Sequence, residues 1–219
     1  MRHEMKSFGE GELGGAPRRR RARRLSELFA QMARDAHGPV SMADVRDALG
    51  DRGFAGLLVF FAALNMIPLP PPASAILGLP LVIVAAQMVY GSRRAWLPSF
   101  LMNKAITPEQ FRKVMEWVTP RLIRLERYVR PRYWPFWRRQ GDRVIGLLAL
   151  VFAIIVILPI PLGNWLPACA TAILGLALSE RDGVLFAVGC LVGILAIAVI
   201  AFIVGAAGLA THFVFGWFG

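Results

Sequence analysis

Two Asp-Arg pairs, Asp51-Arg52 and Asp142-Arg143, are the ionisable residues that the sequence sets twice in one context. Each follows a glycine, Gly50 or Gly141, and each stands before a long stretch without charge. A carboxylate at the mouth of an apolar segment has two plausible chemistries. It can cap or pair a helix end, because the helix macrodipole favours an acid at its N-terminus. It can also serve as a gated acidic site for a proton or a cation. A second set of candidates lies inside the uncharged stretches: Asn65, Ser74, Asn164 and Thr171, beside Pro68, Pro70, Pro159 and Pro161. Ser and Thr at such places either line a cavity or satisfy backbone groups that proline leaves unbonded. No other reactive set is present. There is no phosphate-binding loop and no nucleophile elbow, and His3, His37 and His212 are scattered. Cys169 and Cys190 have neither metal-ligand spacing nor a disulfide framework. The sequence reads as a non-enzyme with no metal and no cofactor.

The surroundings of these residues are set by how charge is distributed. Of 219 residues, 56% are apolar and 18% charged, against about 45–50% and about 25% in ordinary soluble domains. Residues 53–90, 144–179 and 183–219 contain no Asp, Glu, Lys or Arg. A membrane span needs roughly 20 apolar residues, so each block is long enough for two passes or for one broken hairpin. The chain therefore reads as an integral membrane protein, with a soluble pair of core helices as the weaker alternative. The net charge is +11, and the run Arg18–Arg24 is arginine-rich. No nucleic-acid-binding motif accompanies it, so nucleic acid is not an expected partner. The basic stretches flank the apolar blocks, which marks the cytoplasmic side and offers contacts to anionic lipid heads. The residues after the arginines lack the apolar run of a secretory signal.

Three motifs repeat. Gly50-Asp51-Arg52 matches Gly141-Asp142-Arg143, and Pro68-Leu69-Pro70 matches Pro159-Ile160-Pro161, both at an offset of 91. Ala73-Ser74-Ala75-Ile76-Leu77-Gly78-Leu79 matches Ala170-Thr171-Ala172-Ile173-Leu174-Gly175-Leu176 at an offset of 97, with the extra residues around Gly163-Asn164-Trp165. Proline ends or bends a helix, so the break is part of the design in both copies. About 15 apolar residues separate each Gly-Asp-Arg from its prolines, on the order of 22 Å of helix, less than the roughly 30 Å hydrocarbon core. Two arrangements follow. The segments enter part-way and turn back, which is the pattern of a transporter-type central site, or they form plain hairpins with proline turns at the outer face.

The fold class expected is an all-α membrane protein of two internally repeated, proline-broken helical hairpins, either re-entrant or crossing, plus a C-terminal transmembrane segment and amphipathic interfacial helices. The divisions are a basic tail over 1–24 without order of its own, repeat 1 over 25–90, a basic amphipathic linker over 91–140, repeat 2 over 141–182 and the terminal segment over 183–219. Both basic regions, 1–52 and 91–143, should be cytoplasmic, so the repeats run parallel and the N-terminus is inside. The terminal block crosses once or turns back at Val204–Gly208. Outside the membrane, Leu25, Leu28, Phe29 and Met32 make one helical face. Ser41-Met-Ala-Asp44 is a capping-box start for a helix ending at Gly50, and Thr107-Pro108 starts another. A further helix is expected from Thr119-Pro120, followed by an aromatic and arginine stretch over Tyr133–Arg139.

The motif order resembles the ExoD family of bacterial exopolysaccharide-synthesis membrane proteins. The resemblance rests on Gly50-Asp51-Arg52, Asn65-x-x-Pro68-x-Pro70, Leu77-Gly78-Leu79-Pro80, Arg93-Arg94-x-Trp96-Leu97-Pro98, Gly141-Asp142-Arg143, Leu158-Pro159-Ile160-Pro161-x-Gly163-Asn164 and Glu180-Arg181-Asp182-Gly183. It spans roughly residues 25–210 and leaves out the arginine-rich start. It implies a bacterial inner-membrane protein connected with exopolysaccharide production and, in some members, with symbiotic invasion and tolerance of alkaline medium. The expected activity is transporter-like, at the repeated proline breaks. The alternatives are a non-transporting scaffold or regulator of polysaccharide assembly, or a lipid-scramblase-like protein. Expected partners are the bilayer and, on the scaffold reading, polysaccharide-synthesis proteins, with a homo-oligomer left open.

Overall fold

The computed structural model describes residues 24–36, 38–50, 53–66, 71–92, 94–102, 105–158 and 163–218. These are almost entirely helical. The elements run α1 (Leu25–Asp35), β1 (Val40–Ser41), α2 (Met42–Leu49), α3 (Gly53–Asn65), α4 (Pro71–Tyr90), α5 (Ser99–Met102), β2 (Ala105–Ile106), α6 (Pro108–Tyr128), α7 (Arg138–Ile157), α8 (Trp165–Glu180) and α9 (Gly183–Phe218). The two short strands pair antiparallel, Val40 with Ile106 and Ser41 with Ala105, and so tie the start of α2 to the start of α6.

Local chemistry accounts for the polar helices. The Ser41 hydroxyl accepts a bond from the Asp44 N–H at 3.2 Å, and the Asp44 carboxylate accepts one from the Ser41 N–H at 2.9 Å. Two orphan donors of the helix start are thereby satisfied reciprocally. The Ser41 bonds, the side-chain one first, hold the Asp44 carboxyl below its usual range. Gly50 closes α2 at φ +49°, a conformation glycine adopts without a Cβ penalty. Thr107 caps α6 and Pro108 occupies its first turn. The expected restart at Thr119-Pro120 does not occur, because α6 runs unbroken through Pro120. Its buried residues Phe111, Met115, Val118 and Leu122 form one continuous stripe across the proline. Burying that stripe against α1 (Leu25 and Phe29, both fully buried) outweighs the one backbone bond that Pro120 removes. These apolar faces are thus covered by one another.

The apolar helices make the rest of the core. Every residue of α3 from Ala55 to Asn65 is buried. α3 lies between α4 and α8, and α4 packs on α7, α7 on α8 and α8 on α9. Glycines set the closest approaches. Gly175 of α8 faces Ala55, Leu58 and Val59 of α3, while Trp165 bonds Met66, so α3 and α8 run antiparallel. Gly78 faces Ile157, and Gly146 faces Met88, so α4 and α7 are antiparallel too. Phe29, Phe60 and Phe111 join α1, α3 and α6, with ring centroids 6.1 and 6.3 Å apart.

α9 is one helix of 36 residues, and the expected alternative of a turn at Val204–Gly208 is absent. Among the described residues two windows are long and apolar enough to cross a membrane, Gln140–Ile157 and Gly183–Leu209. α9 folds back on α8 through Arg181, whose left-handed backbone (φ +53°) makes the turn. Leu174, eight residues before Asp182, faces Gly189, seven residues after it. Phe152, six residues before Leu158, faces Gly193. Both registrations put the ends of the second hairpin, Leu158 and Trp165, level with about residue 199 of α9. From there α9 continues about 15 Å to Leu209 at 1.5 Å per residue. That stretch is bare, with Phe202 77% and Leu209 69% exposed.

Candidate functional site

The end of α3 and the start of α8 meet. The Trp165 indole N–H at the start of α8 donates to the Met66 carbonyl just past the end of α3, at 2.6 Å. Each partner in this bond adjoins an asparagine. Asn65 is 4% exposed, and its Nδ2 donates to the Phe61 carbonyl at 2.8 Å and to the Leu77 carbonyl at 3.1 Å. The second bond crosses to α4 at the carbonyl next to that of Ile76, whose own ladder donor is missing at Pro80. Asn65 therefore stitches the first hairpin together from inside. Its Oδ1 is buried and accepts nothing, and the buried Oδ1 of Asn164 likewise accepts nothing. Both carboxamide oxygens adjoin the two partners of the Trp165–Met66 bond.

The other expected residues are distributed as follows. Thr171 is fully buried, and its hydroxyl donates to the Pro167 carbonyl of its own helix at 2.8 Å. That is the backbone-satisfying role open to Ser and Thr beside such breaks. Ser74 falls within α4. Asp51, Arg52, Pro68, Pro70, Pro159 and Pro161 lie outside the described residues. Asp142 and Arg143 are exposed in the first turns of α7. The Arg143 guanidinium covers Gly91, where a Cβ would come within 3.2 Å of Nη2. Arg143 is fifteen residues from Leu158, about 22 Å along the helix, so the charged pair and the asparagines occupy opposite ends. The two Gly-Asp-Arg motifs also differ locally. Gly50 ends α2, whereas Gly141 lies inside α7 against Trp134.

Two buried acids at the charged end carry structural work that motif spacing did not reveal. Asp182 is 1% exposed and begins α9. Its Oδ1 accepts from the Val184 and Leu185 N–H groups at 2.9 and 3.3 Å, and its Oδ2 from the Arg130 N–H at 2.9 Å. Beside it Gly183 donates its N–H to the Arg132 carbonyl at 2.8 Å, and a Cβ on Gly183 would strike the Tyr133 carbonyl. The second acid, Glu126 on α6, is 3% exposed. It accepts bonds from the Ser26 N–H at 3.0 Å and from the Ser26 hydroxyl. Burial pushes its carboxyl above the usual range, the Ser26 bonds oppose that, and Glu180 nearby adds to the rise. The only sequence signal for Asp182 was its place in the Glu180-Arg181-Asp182-Gly183 motif of the family resemblance. Glu126 gave none, because its partner is 100 residues away. Among the described residues no group of three or more His, Cys, Asp or Glu could hold a metal.

A family model described as "Exopolysaccharide synthesis, ExoD" matches residues 23–202. An uncharacterized protein of Synechocystis sp. is 31% identical over 187 residues, covering 82% of this chain and 88% of the relative. Protein ExoD of Rhizobium meliloti is 26% identical over 175 residues, covering 76% and 72%. No solved structure matches.

Proposed function

Because this chain belongs to the ExoD exopolysaccharide-synthesis family, we propose that it is an integral protein of the bacterial inner membrane whose paired proline breaks form a transporter-like site part-way across the bilayer. The observation that carries this reading is the length of α9 beyond the breaks. A 27-residue apolar window extends about 40 Å, enough for the whole hydrocarbon core with tilt. Trp165 and Asn164 are level with a point about 24 Å along it, counted from Gly183. If the breaks were outer turns in water, about 15 Å of uncovered apolar helix would stand in water beside them. The hydrophobic effect opposes that. With α9 spanning, the breaks fall inside the membrane, where unbonded polar groups are tolerated only against protein or a watery cavity. The start of α4 at Pro71 reaches somewhat further, seven residues or about 10 Å before Gly78.

Orientation follows from charge. Arg94, Arg143 and Arg181 belong to the end away from the breaks, together with exposed Tyr90, Trp96, Tyr133 and Trp137. Basic and aromatic side chains together suit a cytoplasmic headgroup layer of anionic lipid. The N-terminus is then cytoplasmic.

The test uses single cysteines, Met66→Cys and Asn164→Cys, in a Cys169→Ala, Cys190→Ala background, with a membrane-impermeant thiol reagent on intact cells. Protection from the periplasm, with slow labelling in inverted vesicles, is expected. Rapid periplasmic labelling of both would make the breaks outer turns and remove the site.

A second reading, a scaffold for polysaccharide-assembly proteins, is favoured by one surface. On α6, Trp117, Arg121, Arg124 and Tyr128 form a stripe away from the buried face, with the Arg121 guanidinium 3.7 Å from the Trp117 ring centroid. Aromatic and arginine side chains are the commonest interface anchors.

A further inference from the structure

Two grooves lie on opposite faces of α1, and they differ in charge. The groove shared with α2 and β1, of about 450 Å³, is lined by Asp35 and Asp44. The groove shared with α6, of about 480 Å³, is lined by Arg34 of α1 and by Arg112 and Glu116 of α6, over an apolar floor of Ala30, Ala33 and Met115. All three charged side chains are exposed. Arg112 Nη2 donates to the Ala36 carbonyl at 2.8 Å, which holds the guanidinium in place and leaves its other N–H donors for a ligand. The side chains of Arg34 and Glu116 make no ion pair or hydrogen bond among the described residues. Arg112 and Glu116 are one turn apart, about 6 Å along the helix. The groove is also joined to the apolar part of the molecule. Phe111, one turn before Met115, packs on Phe60 of α3 with ring centroids 6.3 Å apart, and Phe60 lies in the uncharged block 53–90.

From this juxtaposition we propose that the groove between α1 and α6 holds one phosphatidylethanolamine molecule of the adjoining leaflet, with its phosphate on Arg34 and Arg112, its ammonium on Glu116 and the start of an acyl chain over Ala30, Ala33 and Met115. The proposal rests on the chain being a membrane protein and does not involve the breaks. Guanidinium forks match phosphate oxygens, and basic pockets beside membrane helices are seats for lipid head groups. The carboxylate selects among those heads. An anionic lipid would satisfy the arginines but add negative charge beside Glu116. The two-carbon arm of ethanolamine instead carries its ammonium from the phosphate across the turn that separates Arg112 from Glu116. A choline head has the same charge but no N–H donor for the carboxylate. The groove on the opposite face of α1 is of similar size, and its two acids would repel a phosphate.

The experiment is native mass spectrometry of the full chain in detergent, offered equimolar phosphatidylethanolamine, phosphatidylglycerol and phosphatidylcholine with identical acyl chains. One phosphatidylethanolamine per chain should be retained, about tenfold over phosphatidylcholine, since one charge-assisted bond separates them. Glu116→Gln should bring that ratio near one. Arg34→Ala should lower retention of every phospholipid about tenfold. Ala33→Phe fills the floor without touching a charge and should exclude the lipid in the same way. An unchanged melting temperature in lipid-free detergent shows that each variant keeps its fold. Equal retention of the three lipids by the wild type overturns the proposal, as does a preference that survives Arg34→Ala and Ala33→Phe. Phosphatidylglycerol retained above phosphatidylethanolamine, with the same dependence on Arg34, would make this an anionic-lipid site and refute the role of Glu116. Displacement of the lipid by an equal concentration of soluble phosphoethanolamine would assign the groove to a free metabolite and refute the lipid. None of these readings depends on the depth of the breaks, so their failure is separable from failure of the cysteine labelling.

Discussion

Asp182 gives the sharpest quantitative test of the fold. Replacing it with alanine removes acceptors from three backbone N–H groups at once. Loss of the cap on Val184 and Leu185 costs about 1 kcal/mol. The Arg130 N–H is then left without its charged acceptor, worth about 1.5–3 kcal/mol. The Arg132 guanidinium is 3.8 Å away on a side chain 45% exposed, so that ion pair adds only about 0–1 kcal/mol. Asp182→Ala should therefore destabilise by about 3–4 kcal/mol. Asp182→Asn keeps Oδ1 for the cap but turns an N–H₂ toward the Arg130 N–H, so it should lose about 2 kcal/mol. Arg132→Ala should cost under about 1 kcal/mol. The assay is equilibrium unfolding of the reconstituted full chain. An Asp182→Asn variant as stable as wild type would refute the reasoning. So would Arg132→Ala costing as much as Asp182→Ala, since the ion pair and not the backbone bonds would then hold the junction.

Two further outcomes follow from burial. Glu126 has a folded pKa raised by burial, so its protonated form is the one favoured on folding. Its contribution is fully present below the unfolded value of about 4.3 and is lost as pH rises through the higher folded value. Glu126→Gln should therefore gain stability relative to wild type as pH rises across that window, and a flat difference between pH 4 and 8 would contradict it. Phe202→Arg, on the exposed part of α9 beyond the breaks, should oppose membrane insertion by about 3 kcal/mol. A C-terminal topology reporter unmoved by it would mean that residue 202 is not in the bilayer core.

Much of the scaffold was legible because it is local. Ser41 and Thr107 cap the helices that their spacing foretold, and Leu25, Leu28, Phe29 and Met32 face the core as their periodicity requires. Pro120 misled, because a proline reads as a start when only neighbours are weighed. The stripe from Phe111 to Leu122 is a tertiary argument that needs α1 to be visible. The site was half legible. Asn65 and Asn164 stood out as polar residues near breaks, but the Trp165–Met66 bond joins positions 99 apart, and nothing in either copy alone announces it. Thr171 had two readings in the sequence, and the bond of its hydroxyl to Pro167 shows the backbone one.

The cross-packing of the hairpins has a consequence for how the chain is made. α3 is covered by α8 and α4 by α7, so each helix of the first hairpin finds a main partner in the second. A ribosome that has released residues up to 130 has delivered α3 and α4 with those faces open. The Met66 carbonyl then still lacks its indole donor. The nascent first hairpin must wait for roughly fifty more residues, several seconds of synthesis at about 5–20 residues per second. During that interval it is the form most exposed to membrane proteases and insertion chaperones, and chains truncated between α6 and α8 should be cleared at the assembly stage.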